Sequence, residues 1–236
     1  MLNFEGGLKP TSIEYKDFVN VMFISYYFQH SSIGTGFSLK KNKFIYRLKP
    51  KHIKMENIIQ ILKSGGTILY PTDTIWGIGC DATNIDAINK IFEIKKREKN
   101  KSMIILVENE KRLQDLVDVP EMAWEIMDLS EKPVTLVYQN PKGLPKELLA
   151  EDGSIGIRLV KDLYCKKLIT KLNKPLVSTS ANFSGDKSPL KFSDISKEIV
   201  DLVDFAVEED REKVSQYSGS SVIKIWSDNK IKVLRE

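Results

Sequence analysis

The chain has 236 residues, 42% of them hydrophobic, enough for one large domain or two small ones whose core needs no disulfides. Its two cysteines, Cys80 and Cys165, form no CxxC pair, which argues against a disulfide scaffold or structural zinc and suits a reducing, cytoplasmic setting. No apolar run reaches the roughly 18 residues of a spanning helix, so no membrane partner is expected.

The net charge of +4 is unevenly placed. Residues 1–54 carry nine Lys and Arg against three Asp and Glu, while the remainder carries 27 against 29. The body therefore has no global charge signal for nucleic acid, and an anion site there must arise from local clustering. Ten of the 21 aromatic residues and both histidines, His30 and His52, also fall in residues 1–54. A body without histidine excludes Ser-His-Asp and Cys-His catalysis and any His-ligated metal within it.

Residues 1–54 show no sustained periodicity. The apolar stretch Phe18–Phe28 lacks a small-residue cleavage site after it. This N-terminal extension is expected to be poorly ordered, or an over-long gene start ahead of Met55. From Met55 the pattern becomes regular. MENIIQILKSGG predicts a helix with Ile58, Ile59, Ile61 and Leu62 apolar, stopped by Gly65 and Gly66. Thr67–Tyr70 predicts a strand ended by Pro71. Asn84–Lys96 predicts a helix, with Thr83 and Asp86 resembling a capping box. Further strands are expected at Met103–Val107, Val134–Tyr138, Ile155–Leu159, Pro175–Thr179, Phe205–Val207, Ser221–Ile225 and Ile231–Leu234. Helices are expected at Met122–Leu129, Leu163–Leu172 and Ser193–Val200, and Asp228-Asn229 marks a turn. Alternation early and clustered strands late predict one α/β domain with a mixed sheet over residues 55–236.

Four segments could carry chemistry. In YPTDTIWGIGCDA (Tyr70–Ala82), Thr72, Asp73 and Thr74 follow a strand end, which suits a polar ligand or an ordinary turn. Its G-x-G-x-x-A spacing lacks the strand-to-helix setting of a dinucleotide fingerprint, and no P-loop motif occurs anywhere. KKREKNK (Lys95–Lys101) holds five cations and one acid after a predicted helix, either a solvated helix end or a phosphate clamp. STSAN (Ser178–Asn182) ends a strand with Ser180 and Asn182 on one side. Arg158 sits inside an apolar strand and must find a carboxylate or anionic partner.

Taken in order, YPTDTIWGIG, Lys95-x-Arg97 with Lys101, KPVT at Lys132–Thr135, SIGIR at Ser154–Arg158, STSANFSG at Ser178–Gly185 and SSV at Ser220–Val222 resemble the YrdC/TsaC family. The resemblance covers about Met55–Glu236. It departs from the family pattern at Glu131-Lys132, Trp76 and Ser221. It implies a YrdC-like twisted mixed sheet with flanking helices around a deep electropositive cavity. It implies a threonylcarbamoyl-AMP synthase, a nucleotidyltransferase that joins L-threonine, bicarbonate and ATP with release of pyrophosphate. Lys95 and Arg97 would be catalytic. Thr72, Lys101, Arg158, Ser180 and Ser220 would hold threonine and bicarbonate. Lys95, Lys99, Ser154, Asn182, Ser188 and Arg235 would hold ATP. Mg²⁺ would arrive on ATP, with no protein side chain as its ligand. The product would pass to a tRNA threonylcarbamoyl-transfer complex. The alternative reading is an RNA-binding module of the same fold, and weak RNA binding is compatible with either.

Overall fold

The computed structural model describes residues 54–97 and 103–236. The expected extension over residues 1–54, save its last residue, and the candidates Lys99 and Lys101 lie outside the described residues.

Helix α1 (Met55–Lys63) buries Ile58, Ile59 and Leu62 on one stripe, as their spacing predicts. It stops just before Gly65, whose φ of 80° suits only a residue without a side chain. Strands β1 (Ile68–Tyr70) and β2 (Gly77–Gly79) pair antiparallel across the turn holding Thr72, Asp73 and Thr74. Strand β2 is absent from the elements expected above. Gly79 answers to packing. A Cβ on Gly79 would stand 2.7 Å from both Tyr70 Cε1 and the Val177 carbonyl oxygen. Because backbone as well as ring would have to move, Gly79→Ala should lower stability by about 2 kcal/mol. A urea titration giving variant and parent the same midpoint would contradict this close packing.

Helix α2 (Ile85–Lys95) begins at Asn84, whose Oδ1 accepts from Ala87 N at 3.0 Å. The expected pairing of Thr83 with Asp86 does not form. Thr83 Oγ1 donates instead to Asp81 Oδ1 at 2.8 Å, which leaves capping to Asn84. The helix ends at Lys96 in the left-handed region, φ 50°. The chain continues as β3 (Ile104–Val107), α3 (Glu110–Leu116), α4 (Glu121–Leu129), β4 (Val134–Tyr138), β5 (Ile155–Leu159), α5 (Leu163–Leu172) and β6 (Leu176–Ser180). It closes with α6 (Lys197–Leu202), β7 (Phe205–Ala206), β8 (Ser221–Ile225) and β9 (Ile231–Arg235). Helix α3 was not expected. The helix expected at Ser193–Val200 is a 3-10 turn at 192–194 followed by α6, which Ser196 caps.

The strands form a nine-stranded sheet in the order β7-β1-β2-β6-β3-β5-β4-β8-β9. Pairs β1/β7, β3/β5 and β4/β8 are parallel, and the others are antiparallel. This is the mixed sheet with flanking helices that the sequence predicts. Its first face packs Ile78, Ile105, Leu136 and Ile157 against Ile88 and Ile91 of α2, with α3 and α4 adding Leu113 and Met127. Its second face packs Ile68, Tyr70, Leu106 and Leu176 against Ile58 and Leu62 of α1 and Leu168 and Ile169 of α5.

Candidate active site

Strand alternation decides which side chains share the second face. Ile104 pairs with Ser178 on one side and with Gly156 on the other, so all three point the same way. Ser180 and Arg158, each two residues along its strand, point that way too. Gly77, paired with Ser180, joins them. Thr135 belongs here as well, since a Cβ on Gly156 would meet its Cγ2 at 3.2 Å. The apolar cover from α1 and α5 thus gives way to glycines, hydroxyls and a guanidinium. Backbone and polar groups become reachable where a side chain would otherwise fill the space.

Arg158 is only 3% exposed. Its Nη1 donates to Thr74 Oγ1 at 3.1 Å, and its Nη2 lies 3.3 Å from Asp73 Oδ1. The partner that a buried arginine requires is therefore the carboxylate of the turn after β1. The turn is braced internally. Thr72 Oγ1 accepts from Thr74 N at 3.0 Å, lies 3.0 Å from Thr74 Oγ1 and donates to the Ile75 carbonyl at 2.7 Å. Thr72 thereby reaches Arg158 through Thr74. Burial raises the Asp73 carboxyl above its ordinary range, and the Arg158 charge opposes that rise.

The opposite flank is built by β4, β8 and β9. Ser220 Oγ and Thr135 Oγ1 lie 2.7 Å apart in the interior. Arg235 donates from Nε at 3.0 Å and from Nη2 at 2.8 Å to the Ser220 carbonyl. Its guanidinium is held below its usual range by burial and then by the charge of Arg158. Like charges that act on one another favour an anion nearby.

Lys95, Ser180 and Asn182 make a second cluster. Lys95 closes α2, which lies on the first face, and its ammonium reaches the end of β6. Its Nζ donates to the carbonyls of Ser180 and Asn182, each at 2.6 Å, and lies 3.4 Å from Asn182 Oδ1. The side chain is 2% exposed, so the helix-end cation is not a solvated one. Burial, then the nearby charge of Arg97, pulls its ammonium down to about 7, while Asp186 opposes the shift. Burial likewise lowers the Arg97 guanidinium.

Ser154 makes its side-chain hydrogen bond outside both clusters. Its Oγ donates to Asp152 Oδ1 at 2.6 Å, and Asp152 is paired with Lys224. Those two hydrogen-bonded partners hold the Asp152 carboxyl at about 2. Ser188 is half-buried in the loop beyond β6. A cavity of about 320 Å³ lies between the segment Pro71–Trp76 and a facing wall that includes Leu190, Asp210, Lys213 and Tyr217. Thr72 is the one predicted residue on its wall. Thr72 is thus linked to Arg158 through Thr74, Ser220 is linked to Arg235, and Lys95, Ser180 and Asn182 meet at the end of β6. Sequence reasoning named Thr74 only as part of the turn and overlooked its contact with Arg158, the partnership of Thr135 with Ser220, and the wall from residue 210 to 217. Asp73 was visible as the acid of the YPTDT turn, but its pairing with Arg158 was not.

The Sua5/YciO/YrdC family model, described as telomere recombination, matches residues 60–236. A Pseudoalteromonas translucida protein named threonylcarbamoyl-AMP synthase is 31% identical over 64% of this chain and 83% of its own length. A Methanocaldococcus jannaschii protein that carries the same name provisionally is 32% identical over 83% of this chain and 93% of its own. The fold is shared with the crystal structure of P. abyssi Sua5 complexed with L-threonine, at 23% identity and a TM-score of 0.66 over 72% of this chain. This chain spans half the length of that Sua5. Among the described residues no helix is long and apolar enough to cross a membrane. With a family model running from the first helix to the last residue, and a relative this similar across nearly its whole length, the chain belongs to the Sua5/YciO/YrdC family.

Proposed function

We propose that this protein is an L-threonylcarbamoyladenylate synthase, a nucleotidyltransferase that joins L-threonine, bicarbonate and ATP into threonylcarbamoyl-AMP and releases pyrophosphate. The names of its relatives support the reading. The observation that carries it is the buried Arg158 guanidinium beside the Thr74 hydroxyl, with the Thr135 and Ser220 hydroxyls on the same sheet face. Such a set suits a small carboxylate that also offers a hydroxyl.

The chemistry needs no protein nucleophile. Bicarbonate takes up a proton and loses water to give carbon dioxide, and threonine's amine adds to it, shedding a proton as the carbamate forms. A carbamate oxygen then attacks the α-phosphorus of ATP. The bond to the β-phosphate breaks, and pyrophosphate leaves. All three reactants carry anionic groups, so the protein must bring positive charge and alignment. In this proposal Arg158 takes threonine's carboxylate, with Thr72, Lys101, Ser180 and Ser220 around the amino acid and its carbamate. Lys95 and Arg97 lend charge to the triphosphate, with Lys99, Ser154, Asn182, Ser188 and Arg235 around the nucleotide. The donor set is cationic and hydroxyl, which fits Mg²⁺ entering on ATP rather than on protein carboxylates. The product would feed N6-threonylcarbamoyladenosine formation in tRNA, in the cytoplasm, through a separate transfer complex.

The decisive test is product identity. With ¹³C-bicarbonate, mass spectrometry should find the label in an adduct of threonine and AMP. Free AMP without that adduct would contradict the reading.

A pH dependence follows from Lys95. Its ammonium titrates at about 7 in the fold. As pH rises through that value the cation is lost, so kcat/KM for ATP should fall. A bound triphosphate would raise the same pKa, so the alkaline limb of kcat should lie higher. Flat kcat/KM for ATP between about pH 6 and 9 would rule out a titrating Lys95 as the phosphate-facing cation.

A further inference from the structure

The turn that supplies the cavity wall also supplies the partner of Arg158. Asp73 lines the cavity of about 320 Å³, together with Thr72 and Thr74. Arg158 lies behind them, off that wall, and is 3% exposed. A carboxylate that enters the cavity therefore meets Asp73 before it meets the guanidinium. The pair itself is not optimal. Asp73 Oδ1 lies 3.3 Å from Nη2, yet it makes no aligned hydrogen bond among the described residues, and neither does Arg158 Nε. An arginine fork that met its best partner would be bidentate and saturated.

We propose that Asp73 is an internal carboxylate that occupies Arg158 until the carboxylate of an incoming ligand displaces it, so that Asp73 sets the affinity and the charge selectivity of the site. The proposal rests on the reading of Arg158 as the threonine-carboxylate receptor. Asp73 acts through Arg158 and is a positioning residue. Two carboxylates cannot share one buried guanidinium edge without repelling each other, so the turn must yield when the ligand docks. The hydroxyl brace from Thr72 and Thr74 allows this, because Thr74 Oγ1 can keep its contact with Nη1 while Asp73 leaves Nη2. The raised Asp73 carboxyl is consistent with a group that is easily neutralised once parted from the arginine. A displaceable acid also rejects ligands that lack a carboxylate, since nothing then replaces the charge that Arg158 loses.

The test compares the full chain with Asp73→Asn by calorimetry, using L-threonine, L-threoninamide and acetate. Without the competing charge, threonine and acetate should bind on the order of tenfold tighter, within the range of ordinary site couplings. Threoninamide, which has no carboxylate, should not gain. Equal changes for threonine and threoninamide, or weaker binding of both, would overturn the proposal, because Asp73 would then be a direct ligand contact or a purely structural one. Should the variant not fold, a crystal structure of the parent with threonine decides: an intact Asp73–Arg158 pair beside the bound carboxylate overturns it, and a parted pair supports it. Pyrophosphate release scores the proposed function separately. Tighter carboxylate binding without threonine-dependent release would sink the synthase and leave the displacement. Release with no charge-selective gain would do the reverse.

Discussion

Replacing Arg158 with methionine should lower kcat/KM for threonine by about 1000-fold and destabilise the fold by about 3 kcal/mol. The two losses have different origins. Turnover falls because the guanidinium that would hold threonine's carboxylate is gone. Stability falls because Asp73, 15% exposed at its side chain, loses the charge 3.3 Å away that compensates it. The double variant with Asp73→Asn separates them. It removes the stranded acid, so most of the stability should return while turnover does not. The sign of the pH effect follows from the Asp73 carboxyl. Burial already raises it against the opposing arginine, so without Arg158 it rises further. The variant's deficit should therefore shrink as pH falls and Asp73 takes up a proton. Denaturant titrations of both variants at two pH values, with parallel rate measurements, read all of this. Recovery of turnover in the double variant would remove Arg158 from the site.

Lys95→Met should lower turnover by about 1000-fold while lowering stability by only about 1–2 kcal/mol. Two carbonyls, those of Ser180 and Asn182, lose donors at 2.6 Å. Against that, a buried charge whose pKa is depressed to about 7 is removed, and its desolvation penalty goes with it. The net structural loss is thus small beside the catalytic one. Binding separates the roles of the two clusters. Threonine should still bind through Arg158, whereas ATP should not. A Lys95→Met protein that releases pyrophosphate at the parental rate would show that Lys95 serves only to hold the loop after β6.

The elements most legible in the sequence are those whose own side chains decide them. Strands β4 and β5 are runs of β-branched and apolar residues, and α5 carries both its apolar stripe and the Asp162 cap. Strand β2 was hidden because Gly-Ile-Gly has no strand propensity. Gly79 is required by Tyr70 and Val177, which the folded sheet brings within 2.7 Å of where its Cβ would stand. Helix α3 offers just Leu113 and Leu116 as buried apolar positions, too few to set a period. The same division holds at the site. That Arg158 needed an anion was readable from an arginine in an apolar strand. That Asp73 supplies it depends on a turn folding back over the sheet, which no local pattern encodes. The burial of Lys95 had a local signal after all. It continues the stripe of Ile88, Ile91 and Phe92 at helical spacing, so its stem was bound for the core whatever its charge.

The measurement closest to the central claim is pyrophosphate release by the full chain given ATP, L-threonine and bicarbonate, with each left out in turn. The account predicts release only with all three present, and its loss in the Arg158→Met protein. Release that continues without threonine, or survives the loss of Arg158, would contradict it.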